Sequence, residues 1–357
     1  MTRSITSLQL YMLVIITVAV NCHVTLIPLL IESAGRDAWI SLLISFITLL
    51  PFILIILYIQ RTTQSGEVLT WIQQRYGFTH VVLRVIVILW LLCTAAISLK
   101  DLVNWANVSF LQLTPPYTLS ILFTLTCYFS ALKGLRTLAI ITGVLLPIVS
   151  SLGFFVAIFN HPEKDYSLLL PILENGFQPI LRGAGFANAA ILESAMMIFL
   201  LHHTRGAIKA RHLILLLIIL VGLTIGPTIA SIAEYGYEEA VKQRFPAYEQ
   251  WRLFQLGRYI GHLDFMAIFQ WLSGAFIRIS LAIFLMVDVL GIKKQKVRHT
   301  YIAISALVVL SISLIPITDT QFTQVLRSYA HISLITMLLV LSTILGLCIF
   351  GKRRSSP

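Results

Sequence analysis

The sequence predicts an all-α polytopic membrane protein. Ten separate apolar stretches fill nearly the whole chain. Charged residues make up only 11% of it, against roughly 25% in a soluble domain. The Lys and Arg residues gather on every second connection between stretches, as the positive-inside rule requires. A helix needs about 20 apolar residues to span a bilayer. The stretches cover roughly residues 8–31, 38–60, 81–110, 117–132, 136–159, 184–202, 212–233, 262–290, 299–317 and 326–350.

The first stretch is too long for a signal peptide and lacks a small-x-small cleavage pattern, so it is read as a retained helix. Its middle carries Asn21, Cys22, His23 and Thr25, with Pro28 one turn on. Polar residues followed by proline predict a discontinuous helix whose freed backbone groups face a partner or a ligand. The plainer reading has Asn21 and His23 bonded to neighbouring helices. After the second stretch, residues 61–80 read as a short amphipathic cytoplasmic helix. The third stretch carries Thr94 and Ser98 one turn apart, expected to line a central cavity. Lys100 and Asp101 follow nearer its outer end and are expected to snorkel or solvate at the rim. The fourth stretch is short, and the fifth runs into residues 160–183, an extracellular crossover.

The sixth stretch places Asn188 and Glu193 in FANAAILESAMMIF. A carboxylate at this depth must be protonated, paired or facing water. Proton-linked coupling and a structural hydrogen-bonding role both remain open for Glu193. The seventh contains Gly222 and Gly226, a GxxxG of little specificity because bundle helices often pack through glycine. Residues 235–258 predict one amphipathic outer helix bearing Phe245, Tyr248, Trp251 and Phe254. These read as interfacial anchors, with a lid as the other possibility. The eighth carries Arg278 deep inside, expected to pair with Glu193 or another acid. The sharper alternative is a fixed positive charge standing where a sodium-coupled transporter holds its ion. The ninth and tenth stretches lead to a basic C-terminus.

Sixteen Lys and Arg fall on one side: Arg3, Arg61, Arg75, Arg84, Lys133, Arg136, Arg205, Lys209, Arg211, Lys293, Lys294, Lys296, Arg298, Lys352, Arg353 and Arg354. Eight fall on the other: Arg36, Lys164, Arg182, Lys242, Arg244, Arg252, Arg258 and Arg327. The richer side is cytoplasmic, so both termini are expected there. The net charge of +11 therefore reflects membrane topology and not nucleic-acid binding. The four cysteines, Cys22, Cys93, Cys127 and Cys348, lie within apolar stretches and show no metal or disulfide spacing. No P-loop, GxGxxG, HExxH, CxxC or GxSxG occurs, so neither an enzyme nor a cofactor is expected.

Ten stretches with a crossover after the fifth divide the chain into residues 1–160, the crossover 161–183, and residues 184–357. Five is odd, so the second half enters from the opposite side, which is an inverted-topology repeat.

The chain resembles the endospore germination permease family, the B-type subunits of nutrient germinant receptors. That family belongs to the amino acid–polyamine–organocation transporter superfamily. The resemblance spans essentially the full length. It rests on the opening ITSLQL before a broken helix with Pro28, on AGRDAWIS (34–41), on LLPILENGFQPILRG in the crossover, on the sixth-stretch pattern ending in Glu193, and on LDFMAIFQWLSGAFIRIS (263–280). It implies ten helices in an inverted repeat, with a ligand pocket between the unwound middles of helices one and six and with helices three and eight closing it. In this sequence those middles are Asn21, Cys22, His23 and Thr25, and the run from Asn188 through Ala190 and Leu192 to Glu193. It also implies a small nutrient ligand such as an amino acid, an A-type membrane subunit and a C-type lipoprotein as partners, and a place in the spore inner membrane. The sequence departs from the superfamily in lacking glycine at both breaks, which reshapes the pocket. A proton-coupled amino-acid transporter and an orphan scaffold remain as alternatives to a nutrient sensor.

Overall fold

The computed structural model describes residues 4–64, 66–253 and 263–353. Arg3, Arg258, Arg354 and Phe254, which entered the readings above, lie outside the described residues. The described chain is helical apart from two strands of two residues each. Seven segments are long and apolar enough to cross a membrane: Ser7–Thr62, Thr79–Ser109, Leu135–Phe159, Phe177–His203, Ala210–Tyr235, Phe265–Asp288 and Asp319–Gly351. The first contains the first two apolar stretches. The fourth and ninth stretches form helices Pro116–Lys133 and Gln295–Ser313, which are long enough but less apolar than these seven.

Helix α1 (Ser7–Asn21) begins at a reciprocal cap. Thr6 Oγ1 accepts the Gln9 amide at 3.2 Å, and Gln9 Oε1 accepts the Thr6 amide at 2.9 Å. This is the structural content of the opening ITSLQL. A π-helical turn, Cys22–Leu26, then leads into α2 (Ile27–Ala34). Gly35 turns the chain at φ +62°, a conformation that favours glycine, and α3 (Ala38–Thr62) follows. Arg36 and Asp37 in that turn hold the crossover. Arg36 donates to the Leu170 carbonyl at 3.1 Å and meets Glu174 at 3.3 Å, while both Asp37 oxygens accept the Leu173 amide at 3.0–3.1 Å. The motif AGRDAWIS thus ties the turn between α2 and α3 to residues 170–174.

The short helix α4 (Val68–Tyr76) lies against the chain's last helix, where Tyr76 donates to the Leu347 carbonyl at 2.7 Å. Next come α5 (Thr79–Ser109), α6 (Pro116–Lys133) and α7 (Leu135–Phe159). Helix α8 (Phe177–Leu192) starts seven residues before the predicted position 184 and passes into a 3-10 helix, Glu193–His203. Helix α9 (Ala210–Tyr235) is followed by two short helices, α10 (Tyr237–Ala240) and α11 (Pro246–Leu253), not one long outer helix. A proline is tolerated in the first turn of a helix but not in its interior, so Pro246 starts a new one. The series ends with α12 (Phe265–Asp288), α13 (Gln295–Ser313) and α14 (Asp319–Arg353). Strand β1 (Ile5–Thr6) pairs in parallel with β2 (Thr204–Arg205), and the Ser4 amide donates to the His203 carbonyl at 2.8 Å. The entry to α1 and the exit of the 3-10 helix are therefore fastened at one end of the bundle.

Helices α5 and α12 pack along each other at the centre. Helix α1 packs on α7 and α12; α8 packs on α2, α3 and α14; α6 packs on α12 and α13; α13 also packs on α5. Two glycines allow close approach. A side chain at Gly274 would drive into Val20 of α1, and one at Gly183 into Ser41 and Ala34. Gly222 and Gly226, by contrast, have open space where a Cβ would go, so the GxxxG does not serve helix packing here.

Gly274→Leu and Gly183→Leu are each expected to destabilise the fold by about 1–3 kcal/mol through overpacking. Gly222→Ala should leave the unfolding midpoint unchanged or raise it. Thermal unfolding in detergent reads all three, and a wild-type midpoint for Gly274→Leu would contradict the close α1–α12 contact.

Candidate functional site

The deepest polar feature is a network on five helical segments. Arg278 of α12 is 2% exposed and Glu193, at the head of the 3-10 helix, is 1% exposed. They pair bidentately, with Nη1 to Oε2 at 2.6 Å and Nη2 to Oε1 at 3.1 Å. The guanidinium also donates from Nη1 to the Thr17 carbonyl of α1 at 3.0 Å and from Nε to Ser98 Oγ of α5 at 2.8 Å. Tyr329 of α14 donates to Glu193 Oε1 at 2.7 Å and lies 2.7 Å from Thr94 Oγ1. Thr94 and Ser98 are tied to α5 through the carbonyls of Trp90 and Thr94.

Burying two ions costs several kcal/mol each, and only good geometry with further hydrogen bonds offsets it. Both conditions hold. The planar arginine fork matches the carboxylate, and both carboxylate oxygens and all three guanidinium nitrogens have partners. Glu193 is placed by a change of helix type. The 3-10 run that it opens is 11 residues long, where 3–4 is usual.

The first stretch does not unwind, contrary to the expectation of a gap. Residues 22–26 keep helical bonding in a wider turn, in which the Ile27 amide donates to the Cys22 carbonyl five residues back. The sixth changes pitch from α to 3-10, also without a gap. The backbone groups at the two middles are thus largely used within the helices. His23 also turns back on its own helix, its Nδ1 lying 2.8 Å from the Ala19 carbonyl.

The expected ligand residues divide into separate groups. Asn21, Thr25, Ala190, Glu193 and Tyr329 surround a cavity of about 10 Å³, room for one water at most. His23 lines a different, largely apolar cavity of about 510 Å³ between α1, α7, α9 and α12, which Gly222 and Gly226 also border. Asn188 points away from both, its Oδ1 accepting from Ser45 at 2.7 Å and Thr48 at 3.1 Å on α3. Cys22 and Leu192 are buried in the packed core. Thr94 and Ser98 belong to the ion-pair network. Sequence reasoning missed Tyr329, whose signal is the polar run RSYAHIS, with Tyr329 and Ser333 one turn apart. Ser333 accepts from Trp90 Nε1 at 2.9 Å, adding a second tie between α14 and α5. The Thr17 carbonyl carries no side-chain signal at all.

The aromatics of residues 245–251 pack on the helix bundle. Trp105 of α5 stacks on Trp271 of α12 at 4.2 Å, with Phe245 and Tyr248 edge-on around the pair. Trp251 is 3% exposed. Burial, with Asp264 beside it, pushes the Tyr248 hydroxyl up to about 12, so it stays a neutral donor to Asp264 at 3.3 Å. Asp101 is likewise buried and paired with Arg244 at 2.7 Å, not solvated at the rim. Its neighbour Lys100 caps the end of α13, donating to the Ser313 and Ile315 carbonyls at 3.2 and 2.8 Å.

Arg278→Ala strands a buried carboxylate and should cost about 3–5 kcal/mol. Tyr329→Phe removes one bond to a charged group, a loss of about 1.5–3 kcal/mol. Replacing both ions, as Glu193→Leu with Arg278→Met, should destabilise less than Arg278→Ala alone. Unfolding midpoints read the series, and an unchanged midpoint for Arg278→Ala would refute the pairing.

Helices of this length and apolarity are those of a membrane protein. Comparison with known proteins agrees. The sequence pattern described as spore germination protein matches residues 4–323. Spore germination protein XB of Bacillus anthracis is 40% identical over 315 residues, covering 88% of each chain. With the family's pattern matched across nearly all of its length, this chain belongs to the spore germination protein family.

Proposed function

We propose that the chain is the nutrient-sensing membrane subunit of a spore germinant receptor, built on a ten-helix transporter plan. The observation that carries this reading is the position of the ion pair. Glu193 opens the 3-10 helix and its partner Arg278 bonds the Thr17 carbonyl of α1, ahead of the π-helical turn, beside a small cavity that borders both changes of helix type.

The proposed plan has two inverted five-helix repeats, residues 1–160 and 184–357, joined by the crossover 161–183. Packing supports it. Numbering the ten predicted crossings in order, the first contacts the fifth as the sixth contacts the tenth. The third contacts the ninth as the eighth contacts the fourth, and the third contacts the tenth as the eighth contacts the fifth. Both termini lie in the cytoplasm on the charge bias, and the membrane is the inner membrane of the spore. An A-type membrane subunit and a C-type lipoprotein complete the receptor.

The ligand is a free amino acid, bound beside Asn21, Thr25 and Ala190. Opening this site exposes two charges of opposite sign, and a zwitterion replaces both partners at once. Its carboxylate meets Arg278 and its ammonium group meets Glu193. Neutral sugars and nucleosides leave both ions unpaired, which is unfavourable at this depth. The described form is contracted, so binding requires helix separation. The ligand moves that equilibrium only by its difference in affinity for the two forms.

Equilibrium binding of L-alanine, N-acetyl-alanine and alaninamide, to the chain in nanodiscs with and without its two partner subunits, tests this. L-alanine alone should bind saturably, and Asn21→Leu should weaken it. Glu193→Gln should stay folded and lose binding. Equal binding of the blocked analogues, or no binding even by the complex, overturns the ligand assignment. Proton-linked uptake by the chain alone in liposomes would replace sensing with transport.

A further inference from the structure

A second polar cluster lies at the opposite end of the 3-10 helix. His202 and His203 close that helix, and Asp288 closes α12. His203 Nε2 is 2.9 Å and His202 Nε2 is 3.4 Å from the same oxygen, Asp288 Oδ2. The three ligand-type atoms lie within 4.8 Å of one another. The two imidazole rings lie against each other, with centroids 3.9 Å apart, and both Nε2 atoms face the same carboxylate oxygen.

We infer that His202, His203 and Asp288 form a divalent transition-metal site, with Zn²⁺ the best match. Zinc takes imidazole nitrogen at about 2.0–2.1 Å and carboxylate oxygen at about 2.0–2.2 Å in a tetrahedron, whose edges are then about 3.3–3.4 Å. The two measured edges, 2.9 and 3.4 Å, bracket that value. Two imidazoles and a carboxylate are borderline ligands that suit zinc over calcium or magnesium, which prefer all-oxygen sets. Water fills the fourth position.

The surroundings support the assignment. Arg298 Nη2 holds the other carboxylate oxygen, Oδ1, at 3.2 Å and leaves Oδ2 turned towards the histidines. Such outer contacts fix the orientation of a ligating carboxylate. The Arg298 guanidinium is itself seated over the Phe284 ring at 4.9 Å. The histidine side chains are 11% and 12% exposed, enough for an ion to enter but too little for free rotation. The neighbouring residues Thr204 and Arg205 pair with the N-terminal strand. An ion here would therefore fasten three ends together: the entry to α1, the exit of the 3-10 helix and the end of α12. This inference stands on its own geometry and does not depend on the receptor reading.

Co²⁺ titration of the tag-free full chain in detergent tests it, because a low-coordinate cobalt site with nitrogen ligands gives a visible absorption band. One equivalent should bind saturably and be displaced by Zn²⁺. His202→Gln and His203→Gln should each weaken binding roughly tenfold or more, since even outer-shell changes reach that size. Zn²⁺ should raise the unfolding temperature of the wild type and not of these variants. Absence of saturable binding in the wild type overturns the site, as does unchanged affinity in both variants. Should the variants fail to fold, diethyl pyrocarbonate labelling of the wild type decides. Zn²⁺ should protect His202 and His203 from modification, and equal modification with and without Zn²⁺ overturns the proposal.

Discussion

The Glu193–Arg278 pair is the constraint around which this molecule is arranged. A guanidinium and a carboxylate removed from water need each other, and both need further partners to fill their remaining hydrogen-bonding positions. Those partners come from four other places in the chain: the Thr17 carbonyl, Ser98, Tyr329 and, through Tyr329, Thr94. No two consecutive helices supply them. The network therefore fixes helices distant in sequence at one depth and in one rotation. Apolar packing between featureless leucine-rich faces cannot do that alone, because lipid tails solvate such faces equally well.

Around this centre the bundle is closed unequally at its two ends. On the crossover side the seal is aromatic and layered, with Trp105 on Trp271 and Phe245 and Tyr248 above them. Hydrogen bonds from Asn160 to the Gln250 carbonyl, and from Gln250 to the Pro227 carbonyl, pin α11 over the end of α9. On the other side the seal is backbone pairing, β1 with β2, plus the His202–His203–Asp288–Arg298 cluster. The aromatic seal also carries an ion pair, buried Asp101 with Arg244 beside Phe245, so parting either end separates charges.

Much of the helical layout was legible in the sequence because hydrophobic length is a strong signal. Each predicted stretch coincides with a helix, although α8 begins at Phe177 and not near residue 184, since FQPILRG is polar enough to hide its first two turns. Arg278 and Glu193 stood out for the same reason, as charges are rare at that depth. What stayed illegible was direction. Asn188 and Glu193 lie five residues apart on one stretch, yet one faces α3 and the other faces Arg278. Asn21 and His23 are two residues apart and line different cavities. Helix rotation and local pitch decide such questions, and neither is written in hydropathy. The packing of the aromatics at 245–251 was illegible for a related reason: an amphipathic segment looks the same whether its apolar face meets lipid headgroups or the top of a bundle.

The 3-10 helix Glu193–His203 connects these observations. A 3-10 helix rises about 2.0 Å per residue and an α-helix 1.5 Å. Across eleven residues the same segment wound as α would be about 5 Å shorter. Its two ends are the two polar clusters, Glu193 held by Arg278 and Tyr329, and His202 and His203 held by Asp288. Both clusters draw on α12, which presents Arg278 and Asp288 ten residues apart, about 15 Å at α-helical rise. The segment between the clusters is buried throughout, Ser194 to Leu201, and makes its contacts through side chains with no ionisable group. Polar contacts fix its ends and apolar packing fixes its middle. The ion pair and the far end of the bundle are in this way joined by a single 3-10 rod, held at one end by Arg278 and Tyr329 and at the other by Asp288.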